Sequence, residues 1–238
     1  MNFPPITALM ITGIPVRKRF AQKAFDAWVN QTYPNKKIVI VNTDFVPWFS
    51  NITKNFPDQV QELVLASKPE EEITLGELRN ISVAASTTDL VIQWDDDDYC
   101  LPDRITSQYA AMYKLNTPCC LLANQIRAKF YSPDEAYYYR GDIHRKRFGG
   151  IEGTILYDKT KMIAEYPQLT RGEDTAFLSA CGLDLKQIAI AVNNPMLYIR
   201  WYHGLNTWGE KHFFNTCKDL PVTSSHHLET LIRIAESY

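Results

Sequence analysis

Sulfur, excess basic charge and long apolar runs are all scarce in this chain. The five cysteines, Cys100, Cys119, Cys120, Cys181 and Cys217, are odd in number and form no CxxC pair. That pattern argues against a disulfide frame or a zinc site and for reduced thiols. A formal charge of -2 over 238 residues leaves no broad basic field, so a nucleic-acid partner is not expected. No apolar run reaches the length of a membrane span, and the start MNFPPITALMITG lacks a basic stretch leading into an apolar one. These absences predict a cytoplasmic protein without a transmembrane segment and leave peripheral membrane association open. Repeats and low-complexity segments are also missing.

What is present suits an α/β protein. At 45% hydrophobic residues the chain can bury a substantial core. Ile6 to Thr12 reads as a first strand ending at Gly13 and Pro15, followed by a helix with Phe20, Ala24, Phe25 and Trp28 on one face, which Pro34 stops. Lys37 to Val41 reads as a second buried strand and Val60 to Ala66 as a third. Thr74 and Glu77 form a capping-box pattern opening a helix with Leu78, Ile81 and Ala85 inward. Pro102 to Leu115 predicts a further helix, and Cys120 to Phe130 and Tyr137 to Arg140 predict strands around a Ser132, Pro133, Asp134 turn. Gly149 and Gly150 precede a strand at Thr154 to Tyr157. Ile188 to Val192 and Met196 to Tyr202 read as the last strands, before a helix after Pro221 with Leu228, Leu231 and Ile232 inward.

The densest chemistry lies in DLVIQWDDDDYCLPDR, Asp89 to Arg104, where a buried strand runs into Asp95, Asp96, Asp97 and Asp98. Extended geometry would place Asp95 and Asp97 on one face and Asp96 and Asp98 on the other. Two like charges roughly 4 Å apart repel by about 1 kcal/mol in water and several times more near a protein surface. The tetrad therefore calls for a partner, and a hard divalent ion whose shell is completed by substrate phosphates is the simplest. An EF-hand loop is excluded, because Cys100 or Leu101 stands where its turn needs glycine.

Other candidates are weaker when taken alone. Asp44, after the second strand, suits a nucleotide base or an ordinary turn; Arg79 suits a diphosphate, a base or an exposed helix face. His144, Arg145, Lys146 and Arg147 read as a solvated basic loop. Glu173 and Asp174 in TRGEDTA sit where a helix begins, near Asp174, and acidic residues there also satisfy the helix dipole. His203 opens HGLNTW, and neutral imidazole binds transition ions and phosphate readily.

In QTYPNKKIVIVNTD, LGELRN and QWDDDDYCLPDRI, followed by the Glu173–Asp174 pair, the sequence resembles glycosyltransferase family 2. The family's usual acidic pair after the second strand is replaced by Asn42 and Thr43. The resemblance implies a single GT-A-like α/β domain over residues 1–238, with a mixed, mostly parallel central sheet flanked by helices. It implies a donor-nucleotide half at 1–98 and an acceptor half at 99–238. The implied activity is metal-dependent, inverting sugar transfer from a nucleotide-diphosphate sugar, UDP-sugars favoured, to a hydroxyl of a glycan or other acceptor. The DxD motif falls on Asp95 to Asp97, with Mn²⁺ or Mg²⁺ on Asp97 assisted by Asp95. Donor contacts would come from Thr12, Arg17, Asp44, Arg79, Asp95, Asp96 and His203, and the catalytic pair would be Glu173 and Asp174, with Asp174 the base. A sugar-1-phosphate nucleotidyltransferase or a non-catalytic nucleotide-sugar binder are the rival readings. The first would want a glycine-rich basic loop after strand one, where only Gly13 is found.

Overall fold

The computed structural model describes residues 3–65, 73–140, 148–192, 194–215 and 220–238. His144 to Arg147, Cys217 and Ala66 lie outside the described residues.

The apolar runs of the first half form β1 (Ile6–Thr12), β2 (Lys36–Asn42) and β4 (Leu90–Asp95), with the shorter β3 (Val60–Val64) beside β2. The inner strands are apolar on both faces, as parallel strands covered by helices on each side require. Thr12 is opposite Asn42 and Ile11 opposite Asp95, so the carboxyl ends of β1, β2 and β4 finish at one edge. That edge carries the site.

Between β1 and β2 runs α1 (Lys18–Val29), and α3 (Leu75–Ala85) leads into β4. Thr74 and Glu77 close the expected capping box at the start of α3. Gly76, in its first turn, approaches Pro167 so closely that a Cβ would fall 1.8 Å from the Pro167 carbonyl oxygen. After β5 (Asp98–Cys100) comes α4 (Arg104–Leu115), which begins two residues later than the proline suggested and ends at Asn116 in the left-handed region. Asparagine tolerates that conformation better than most residues.

Further strands are β6 (Cys119–Leu122), β7 (Asn124–Lys129), β8 (Ser132–Arg140), β9 (Ile151–Asp158), β10 (Ile188–Ala191) and β11 (Tyr198–Tyr202). Among the described residues they join the first four in a seven-stranded sheet, β10-β6-β9-β4-β1-β2-β3, and a four-stranded sheet, β5-β11-β7-β8. In the larger sheet β9 runs antiparallel to both β4 and β6, while the remaining pairs are parallel. The expected single strand at Cys120 to Phe130 is therefore two strands in different sheets. The expected Ser132-Pro133-Asp134 turn is the start of β8, the chain reversing at Phe130 and Tyr131 instead.

α1 and α4 cover one face of the large sheet through Phe25, Trp28, Ile105 and Met112. Leu78 of α3 and Phe177 and Leu178 of α5 (Glu173–Ala180) cover the other. The small sheet packs on α7 (Ser225–Glu236), where Leu231 and Ile234 are buried and Ile232, expected inward, faces out. No helix among the described residues is long and apolar enough to cross a membrane.

Candidate active site

β4 stops at Asp95, Asp96 and Asp97 form a turn, and Asp98 begins β5. The turn cancels the alternation expected of an extended chain, and Asp96 and Asp97 share one cation, Arg17. Arg17 pairs with Asp96 and stands 2.9 Å from Asp97, while the Thr12 hydroxyl donates to Asp96 at 2.8 Å. Asp95 accepts from Arg79 at 2.8 Å and from Gln93 at 3.3 Å. Asp98 accepts from the Tyr198 hydroxyl at 2.5 Å and has Arg200 at 3.5 Å. Three arginines from distant parts of the chain thus meet the tetrad.

Burial and charge then separate the four carboxyls. Burial pushes Asp96 up to about 7 against the pull of Arg17, and pushes Asp98 up to about 8 against the pull of Arg200. Asp97 is half-buried at the cleft wall, and there Arg17 and the hydrogen bond from His203 outweigh desolvation and hold it at about 2. His203 Nε2 lies 3.1 Å from its Oδ2, and the Asn206 amide donates to the same oxygen at 3.3 Å.

Arg79 ties the two acidic motifs together. It is 5% exposed, and besides Asp95 it has Glu173 at 3.5 Å from its Nε. Glu173 is buried at the start of α5, where desolvation raises its pKa against the field of Arg79. Gly172 caps this helix in the left-handed region and brings Asp174 into its first turn. Asp174 Oδ1 accepts from the Thr175 amide at 2.7 Å. Its Oδ2 faces β9, where a Cβ on Gly153 would stand 3.3 Å from it, 3.5 Å from Gln93 Nε2 and 4.0 Å from Asp95 Oδ2. A glycine at that point leaves open the floor between the two motifs.

These groups line a cleft of about 570 Å³ with Thr12, Arg17, Asp95, Asp96, Asp97, Arg79, Glu173 and Asp174 on its walls. Asp44 is not among the lining residues. Its carboxylate accepts from the Trp48 indole at 2.8 Å and from the Phe45 amide at 2.8 Å, so it shapes its own loop. His203 sits behind Asp97, stacked on Phe20 at 4.4 Å between ring centroids. Of the two tryptophans beside it, Trp201 is in the core of the small sheet and Trp208 lines the cleft.

Sequence reasoning missed Tyr198, Arg200, Gln93 and Gly153. Alternation along β11, which puts Tyr198 and Arg200 on one face, was the available signal for two of them.

The donor set was weighed for a divalent ion. Five carboxylates, Asp95 to Asp98 and Glu173, share three arginine partners, while Asp174 has none among the described residues. Asp97 offers an ionised carboxylate whose Oδ2 is oriented by the His203 imidazole behind it, and a carboxylate oxygen suits Mn²⁺ or Mg²⁺. Among the described residues no group of three or more acidic, histidine or cysteine side chains stands ready as a complete cage. The fit is to an ion that takes the rest of its shell from phosphate oxygens.

A family model described as glycosyl transferase family 2 matches residues 14–167. Among solved structures, S. aureus TarS 1-349 in complex with UDP-GlcNAc is similar with a TM-score of 0.63 and 12% identity, covering 98% of this chain and 73% of that one. S. aureus TarS 1-349 gives 0.61 and 13%, covering 83% and 60%. The mannosyltransferase PcManGT from Pyrobaculum calidifontis, in complex with GDP-Man and Mn²⁺, gives 0.63 and 9%, covering 90% and 60%. The chain spans about 60% of the length of the latter two structures. At these identities the likeness is one of fold, and it bears out the expected GT-A-like sheet. No curated protein sequence matches.

Proposed function

The chain belongs to glycosyl transferase family 2, and from the groups its cleft brings together we propose that it moves a sugar from a nucleotide-diphosphate sugar to an acceptor hydroxyl with inversion. The reading rests on one observation: Asp97, Asp95 and Asp174 line a single cleft, with Gly153 leaving the floor between Asp95 and Asp174 free. Residues 1–98 would form the donor half and 99–238 the acceptor half, His203 and Asn206 reaching back from the second to Asp97 in the first. UDP-sugars are the favoured donors, in keeping with the UDP-GlcNAc held by TarS.

Asp97, assisted by Asp95, would hold Mn²⁺ or Mg²⁺, as PcManGT is seen with Mn²⁺, with His203 orienting Asp97 from behind. When bound, the ion supplies charge neutralisation for the donor diphosphate. Thr12 and Arg17 hold Asp96 and Asp97 in place for that task. Asp174 would take the proton of the acceptor hydroxyl as its oxygen bonds to the anomeric carbon. The bond from that carbon to phosphate breaks on the opposite face, its electron pair leaving with the nucleoside diphosphate. A single displacement inverts the centre. The Thr175 amide on Asp174 Oδ1 fixes the carboxylate with Oδ2 toward the cleft floor. Glu173, buried against Arg79, anchors the helix that carries this base.

The experiment is a thermal-shift and calorimetry panel of UDP-glucose, UDP-GlcNAc and GDP-mannose with and without Mn²⁺, followed by transfer assays on Asp174→Asn. Metal-dependent binding of at least one donor is expected, and D174N should keep it while transfer collapses. Undiminished turnover by D174N would remove Asp174 from its role.

A further inference from the structure

Three arginines lining the cleft lie over aromatic rings. Arg127 is 3.9 Å from the Tyr139 centroid and 5.4 Å from that of Phe213, Arg200 is 5.2 Å from Phe213, and Arg171 is 5.3 Å from Trp208. Trp208 in turn stacks on His212 at 4.1 Å and 19°. A guanidinium over a ring keeps its N–H edges for oxygen acceptors. Arg127 uses an N–H internally, donating to the Phe213 carbonyl at 2.5 Å.

Arg171 and Arg200 are different. No hydrogen bond among the described residues takes up either guanidinium; Arg200 has Asp98 at 3.5 Å and stands in the field of Asp95 and Asp97 as well. Arg171, an exposed side chain, has no carboxylate within 4.0 Å among the described residues, although it stands two residues from Glu173 and three from Asp174. Because Arg171 belongs to the loop entering α5, its charge is tied to the segment of the base. The β1 and β4 edge, where Arg17 serves the acidic turn, is a separate place in the chain.

We infer that the acceptor carries an oxyanion, phosphate or carboxylate, which Arg171 receives beside Trp208 with Arg200 adding to the field, while a hydroxyl of the same molecule reaches Asp174. This rests on the proposed sugar transfer and names the class of its acceptor. A charged hydrogen bond of this kind discriminates by about tenfold or more over a neutral group.

The test is calorimetry on the full chain saturated with UDP and Mn²⁺, titrated with glucose 6-phosphate, glucuronate and glucose at constant ionic strength, for the parent protein and for Arg171→Gln and Arg171→Lys. One anionic sugar should bind about tenfold more tightly than glucose, R171Q should abolish the preference and R171K should keep part of it, while the UDP affinity of both variants stays within about twofold of the parent. Preference for glucose 6-phosphate would mark a phosphate acceptor, and preference for glucuronate a carboxylate one. The inference is overturned if neither anion outbinds glucose, if the preference survives R171Q, or if R171Q weakens UDP instead. Failure of the parent protein to bind UDP at all would strike the donor reading itself, which the first titration reports separately.

Discussion

The Nη2 of Arg79 stands 2.8 Å from Oδ1 of Asp95, so a helix residue fixes the carboxylate that ends the central strand. Both groups come from different elements, and the arginine is sealed from solvent. Removing one member of such a buried pair leaves the other charge without compensation, at a cost on the order of 3–5 kcal/mol. Arg79→Met should therefore lower the thermal midpoint by about 10 °C, with Arg79→Lys intermediate. Scanning calorimetry reads this directly, and an R79M midpoint within about 2 °C of the parent would contradict it.

Asp97 differs from Asp96 and Asp98 in being held well below the usual carboxylate range, by Arg17 and His203. Asp97→Ala should reduce Mn²⁺-dependent UDP affinity by about tenfold or more, to the level of the parent protein in EDTA. Asp44→Ala, whose carboxylate serves its own loop, makes the comparison. Isothermal titration with equal UDP affinity for D97A and the parent would remove Asp97 as the ion's main ligand.

At Gly153 the backbone is not in the left-handed region, so alanine fits the chain and should leave stability near that of the parent. The added carbon would press on Asp174 Oδ2 at 3.3 Å. With Asp174 in its proposed role as base, displacing it by a fraction of an ångström should lower turnover by about tenfold or more. The expected signature is a fall in kcat with an unchanged thermal midpoint; equal losses in both would assign Gly153 to packing alone.

Burial pushes the Cys119 and Cys120 thiols up to about 12 and that of Cys100 up to about 11. Thiolate is the reactive form, and at pH 8 these sites hold almost none of it. Iodoacetamide at pH 8 should label Cys100, Cys119 and Cys120 only after denaturation, as peptide mass mapping would report. Rapid labelling of any of the three in the folded protein would show that its strand or loop opens.

The order of strands and helices was legible because each buried strand is a short apolar run and each covering helix shows an apolar stripe. Thr74 and Glu77 announced α3 by a purely local bond pattern. Less legible were features decided by tertiary contact. Asp96 and Asp97 turn instead of alternating, because β5 must fold back to pair with β11, residues far along the chain. Ile232 satisfies the helical period yet faces outward, because Leu231 and Ile234 take the places against the small sheet. The arginines that answer the tetrad, Arg17, Arg79 and Arg200, come from three separated segments, and no local spacing announces such a pairing. Family resemblance named Asp97 and Asp174, which the fold brings into one cleft, but was silent on Tyr198 and Gly153.

β9 runs against its neighbours on both sides, and so it is the entry of that strand, Ile151 to Gly153, and not its exit, that meets the cleft. On the proposed reading, chain segments that arrive at β9 are delivered to the acceptor side, while those leaving β1, β2 and β4 are delivered to the donor side. Insertions ahead of Ile151 would then remodel what is glycosylated and leave the handling of the nucleotide untouched, so one scaffold can change customers without changing its supplier.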